Sequence, residues 1–267
     1  MTGLVAYAAP AALAGWLAPA VPGGFAPAVP GGFPAAVSAD GAASSSPWAF
    51  FSYFMDHFGQ DMSWFWAHTW LSVVPVVVGL VIALPLGWLA RRYRIVYPSM
   101  MTVTGLLYTI PSIALFVLIP PLLGLDSLDP LQVPIALTIY SVALLVRVVA
   151  DGLASVPEDT LQAATAIGFT RLQRFFRVEL PIAVPVISAG LRVAVVANVS
   201  IVAVAGTIGF LNLGSLFDQG YQLSTPTPYY PPIVLGIILC VILALALDFA
   251  VVALNRALTP WRKAARS

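Results

Sequence analysis

Long uncharged apolar runs alternate along the chain with short clusters of charged residues. A helix that crosses the roughly 30 Å hydrocarbon core of a bilayer needs about 20 apolar residues. Five stretches meet that length. The first, about residues 69–90, ends directly on Arg91, Arg92 and Arg94. The second, about 96–119, contains Pro111, which removes a backbone hydrogen bond and predicts a bend there. Asp126 and Asp129 mark its far end. The third, about 131–149, carries Arg147 near its close, four residues before Asp151 and so placed to pair with it on one helix face. The fourth, about 183–207, contains Arg192, and the fifth, about 233–254, contains Asp248 near its inner end. Residues 206–232, rich in Gly and Pro, predict an external connection with a short helix around 213–219.

The polar clusters orient these spans. Basic residues collect after the first span, between the third and fourth, and after the fifth, where Arg256, Arg262, Lys263 and Arg266 follow. An excess of Lys and Arg marks cytoplasmic loops, which predicts an external N-terminus and a cytoplasmic C-terminus. The chain then divides into three parts. Residues 1–60 form an external low-complexity tail and interfacial segment. Residues 61–255 form the membrane domain, including a polar island at 151–181, and residues 256–267 a basic cytoplasmic end. The tail holds a tandem repeat, PAVPGGFA followed by PAVPGGFP, whose Pro and Gly density is incompatible with a spanning helix. Residues 50–66 are rich in aromatic rings interspersed with Asp56, His57 and Asp61, a pattern expected of a segment lying along the membrane interface. The expected fold is all-α, a polytopic membrane protein with five transmembrane helices.

The island at 151–181 has helical grammar of its own. Ser155 and Glu158, with Pro157 between them, fit a capping box that opens a short helix to about Ile167. Gly168 is placed to end it in the left-handed region. Thr170 and Gln173 fit a second capping box, and Leu172, Phe175, Phe176 and Leu180 form an apolar stripe beside Arg171, Arg174 and Arg177. Gln162-Ala163-Ala164, three residues, Gly168, nine residues, and Val178-Glu179-Leu180-Pro181 resemble the EAA loop of ATP-binding-cassette importer permeases. That family has Glu where this chain has Gln162, and Ile where it has Val178. The resemblance implies a type I importer permease fold and a coupling helix that docks on a cytoplasmic ATPase. It would do so through Glu158, Asp159, Gln162, Ala163, Ala164, Gly168 and Arg171. A second stretch, Tyr108 to Phe116 followed by Ile119-Pro-Pro-Leu-Leu-Gly124, is similar to osmoprotectant permeases, which import glycine betaine, choline or carnitine. The five-span architecture is shared with permeases for methionine and other small solutes.

Composition narrows the remaining classes. The chain is 60% hydrophobic and 9% charged, against about 25% charged in soluble domains. It has no basic face for nucleic acid, and its single cysteine, Cys240, has no partner for an intramolecular disulfide. Two histidines, His57 and His68, both at or before the first span, argue against a haem carrier or membrane enzyme. A membrane anchor that transports nothing is the remaining rival. No Gly-rich phosphate loop ending in GK[ST] is present, so no cofactor is expected in this chain. The resemblance assigns ATP and Mg to separate ATP-binding subunits, and implies a second permease subunit, an external solute-binding protein or domain, a small osmolyte and surrounding membrane lipid as partners. Candidate structural or pathway residues are Tyr108, Pro111, Tyr140, Arg147, Arg192, Asn198 and Asp248. For Arg192, a charge in a span must snorkel or pair, and Asp248 is the favoured partner. Ala194, Ala197, Ala203, Ala205 and Gly206 offer close-packing surface either between two subunits or within one bundle.

Overall fold

The computed structural model describes residues 48–93, 95–126, 129–224 and 229–260. The tandem repeat, Arg94 and the basic residues beyond 260 lie outside the described residues. Helix α1 (Ala49–Arg92) is followed by α2 (Val96–Thr109), α3 (Ser112–Leu123) and α4 (Gln132–Ala154). Then come the short α5 (Glu158–Ala166) and α6 (Arg171–Arg174), a π-turn over Phe175–Glu179, and α7 (Leu180–Ala205). After a 3-10 turn, α8 (Ser215–Leu223) and α9 (Pro231–Leu258) complete the bundle. Among the described residues, four helices are long and apolar enough to cross a membrane, and the count reaches five when α2 and α3 are taken as one broken span.

Helix α4 sits at the centre, packed against α1, α2, α3 and α7. Its contact with α1 is the most extensive in the bundle, and α1 turns a stripe of small residues toward it. A Cβ on Gly79 would lie 2.6 Å from Ser141 Cβ, and one on Gly87 2.6 Å from Val149 Cγ1. Ala83, fully buried, completes the spacing of one small residue every fourth position, which allows two backbones in a membrane to approach. Leu145, Val146 and Val149 of α4 pack with Val76 and Ala83 of α1 and with Ala183 and Ile187 of α7.

Two expectations are corrected. Residues 50–66 are not a separate element ahead of the first span, since α1 runs unbroken for 44 residues. Tyr53 and Trp64 are drawn inward against Leu213, Leu216 and Leu235, so burial against α8 and α9 replaces the interface as their apolar environment. The second span is not one bent helix. Helices α2 and α3 meet at 102° around Pro111, and Tyr140 Oη donates a hydrogen bond to the Ile110 carbonyl at the break. Of the small residues of α7 and the turn after it, Ala194 and Ala205 are buried within this chain's bundle and a Cβ on Gly206 would lie 2.6 Å from Gly214 backbone, whereas Ala197 and Ala203 are half-buried.

Candidate functional site

The island folds as a compact helical elbow between α4 and α7. Helix α5 starts at Glu158 and Asp159, whose charges favour the positive end of the helix dipole. Pro157 takes the N-cap place, correcting the first capping box. Ser155 is still the end of α4, and its hydroxyl is spent on Gly152 O at 2.7 Å. Gly168 takes φ 89°, a conformation that a side chain disfavours. The second capping box forms in full: Gln173 N–H donates to Thr170 Oγ1, and Thr170 N–H to Gln173 Oε1 at 2.9 Å.

Two faces of α5 are distinct. Leu161 and Ala164 are buried against the bundle, while Glu158, Asp159, Gln162 and Ala163 are exposed. Ala164 therefore cannot be a contact position toward another protein without unpacking the elbow, and the expectation that it is one is corrected. Gly168 and Arg171 are exposed. Arg171 lines a recess with Arg91, Arg92 and Trp88 from the end of α1. Of the expected apolar stripe, Phe175 is buried, meeting Trp88 edge to face at 6.2 Å, whereas Leu172 and Phe176 are exposed.

In the spans, Arg192 and Asp248 form the expected pair. Arg192 Nε donates to Asp248 Oδ1 at 2.6 Å and Nη2 to Oδ2 at 2.7 Å, a two-pronged geometry that only arginine provides. Asn198 is buried and donates to Ser141 Oγ at 3.2 Å. Tyr108 meets Tyr140 edge to face at 6.0 Å, so both rings pack beside the Pro111 break. Arg147 and Asp151 do not pair. Asp151 Oδ1 instead accepts from Tyr97 Oη at 3.2 Å, and since Arg147 and Asp151 are both exposed, water offers the guanidinium as much as the carboxylate would.

Residues 76–260 match the family described as binding-protein-dependent transport system inner membrane component. The chain belongs to this family. The permease is 35% identical over 210 residues to the osmoprotectant import permease protein OsmW of Salmonella typhimurium, covering 78% of this chain and 96% of that protein. It is 31% identical over 212 residues to the glycine betaine/carnitine/choline transport system permease protein OpuCD of Bacillus subtilis, covering 79% and 90%. Its fold is that of the type I importer permeases. The inward-facing MetNI methionine ABC transporter superposes with a TM-score of 0.68 at 24% identity, over 76% of this chain and 98% of that one. An amino acid ABC transporter with histidines gives 0.62 at 20%, over 78% and 98%. Permeases of this family form the translocation path and are not enzymes.

Several polar contacts of the permease have no counterpart in the sequence reading. His68 is fully buried with Nε2 at 2.9 Å from Val199 O, and Tyr53 Oη donates to Gln219 Oε1 at 3.0 Å. Both carboxylate oxygens of Asp61 are buried without a hydrogen-bond partner among the described residues. At the elbow, Arg174 Nε donates to Glu179 Oε1 at 2.8 Å. Residues five apart stand about 140° from each other on an α-helix. Only the wider π-turn aligns them, and no sequence signal announces it.

Proposed function

We propose that this permease belongs to an ATP-driven importer of compatible solutes such as glycine betaine, choline or carnitine. The observation that carries the reading is the 35% identity to an osmoprotectant import permease across 96% of that protein. The likeness to a methionine transporter, at 24% identity, speaks to fold alone. In this reading separate ATP-binding subunits use ATP and Mg, a second permease subunit completes the path, and an external solute-binding protein or domain delivers the osmolyte. The exposed face of α5, with Glu158, Asp159, Gln162 and Ala163, is the docking surface for the ATPase. Gly168 lets the chain turn back toward α7, and Arg171 flanks the contact.

The test is the complete complex reconstituted in vesicles, with ATP hydrolysis measured against a panel of external solutes. Glycine betaine, choline or carnitine is expected to stimulate hydrolysis and to accumulate inside. Stimulation by methionine alone would replace the osmolyte reading with an amino-acid one.

The proposed orientation has the start of the chain outside and α5 and the C-terminus in the cytoplasm. In a Cys240→Ala background, Ser224→Cys is expected to react with a membrane-impermeant thiol reagent in intact cells, and Ser155→Cys only after the membrane is opened. Labelling of Ser155→Cys from outside would invert the topology.

A further inference from the structure

We propose that Arg174 is the positioning residue that makes α5 and the foot of α7 move as one body, in a clasp completed by Thr165 and Glu179. The inference rests on the reading of α5 as the ATPase-docking helix.

The covalent route from α5 to α7 passes through Gly168, at φ 89° and with open space where a Cβ would stand, then through the exposed Thr170. The turn is tied within itself, by Gly168 N–H to Thr165 O at 3.0 Å and Phe169 N–H to Ala164 O at 3.1 Å, and neither bond reaches the foot of α7, so through the backbone alone a push on α5 would arrive there diminished. Arg174 bridges across the turn. Its Nη1 donates to Thr165 Oγ1 in the last turn of α5 at 3.1 Å, and its Nε donates to Glu179 Oε1 at 2.8 Å. Both ends of the bridge are themselves held. Thr165 Oγ1 donates to Leu161 O at 2.8 Å, and Leu161 is buried. Glu179 is 7% exposed, and Leu180 and Pro181 follow it directly into α7.

The π-turn is what permits the bridge. The Leu180 N–H bonds back to Phe175 O, five residues earlier, and this wider turn brings Glu179 round to the side of Arg174. Single π-turns inside longer helices occur frequently at functional sites. A charge-assisted hydrogen bond to a nearly buried carboxylate is stronger than a neutral one, which suits the Glu179 arm to bear load. Planar guanidinium serves both arms at once. An ammonium on a flexible stem is a point charge without that fork.

The test measures three quantities on one preparation of the full transporter: recovery of the ATPase with the permease, solute-dependent ATP hydrolysis, and solute moved per ATP hydrolysed. Arg174→Gln is expected to leave recovery intact and to lower the transported-to-hydrolysed ratio roughly fivefold or more, the scale of a modest coupling energy. Arg174→Lys should restore that ratio in part. Thr165→Val removes one arm and keeps the ion pair, so it should lower the ratio by less, and it decides the matter should Arg174→Gln not assemble. A wild-type ratio in Thr165→Val and in whichever Arg174 variants assemble overturns the clasp. The docking reading is probed separately by an Ala163→Trp, Gly168→Val double variant. If that variant keeps recovery, hydrolysis and ratio at wild-type values, the docking assignment of α5 fails. If it loses recovery while Arg174→Gln and Thr165→Val behave as wild type, only the clasp fails.

Discussion

Arg192 and Asp248 are 56 positions apart in the chain, yet they meet through two hydrogen bonds of 2.6 and 2.7 Å. A guanidinium within an apolar run has few places to go, and the same holds for a carboxylate. Each is the main charge in its span, which is why the pair could be read from the sequence. Removing one partner leaves the other alone in the membrane, so Arg192→Ala and Asp248→Ala are each expected to lower the yield and melting temperature of the solubilised permease. The double variant should be no worse than the poorer single one. Strictly additive losses would show that the contact contributes nothing. The Arg174–Glu179 pair was illegible for the opposite reason. Its residues lie in a polar island with several other charges, and their spacing matches neither the i,i+3 nor the i,i+4 rule. Asp61 was misread because a carboxylate near aromatic rings suggests water, whereas its helix face is turned into the protein.

At the scale of elements, the extents of α4, α7 and α9 follow from their long apolar runs, because the bilayer admits backbone only as hydrogen-bonded helix. Helix α1 escaped that reading. Polar residues normally mark the end of a span, but a helix ends only where its backbone is interrupted or capped, and nothing between Ala49 and Thr69 does either. The break between α2 and α3 was legible in place and not in size. Pro111 forbids a continuous ladder of hydrogen bonds, but the 102° turn depends on what receives it, and here Tyr140 of the central helix holds the carbonyl of Ile110. The two capping boxes divide the same way. Thr170 begins a helix with its side chain free to cap, whereas Ser155 follows another helix so closely that its hydroxyl is already engaged there.

At the scale of the whole molecule, the long first helix behaves as a ruler. The exposed Trp66 and Arg91 are side chains that settle at opposite borders of a membrane. Twenty-five residues separate them, about 37 Å at 1.5 Å per residue, against a hydrocarbon core of about 30 Å. Gly79 and Gly87 clamp the same helix onto α4, so α1 cannot tilt by itself to suit a different membrane, and lipid must stretch or thin around it. Bilayer thickness thereby becomes a working variable of the transporter. Uptake per complex is expected to peak in vesicles whose acyl chains match this ruler and to decline in both shorter-chain and longer-chain lipid. Uptake that stays level across the series would mean that the spans slide past one another to absorb the mismatch, and that α1 gauges nothing.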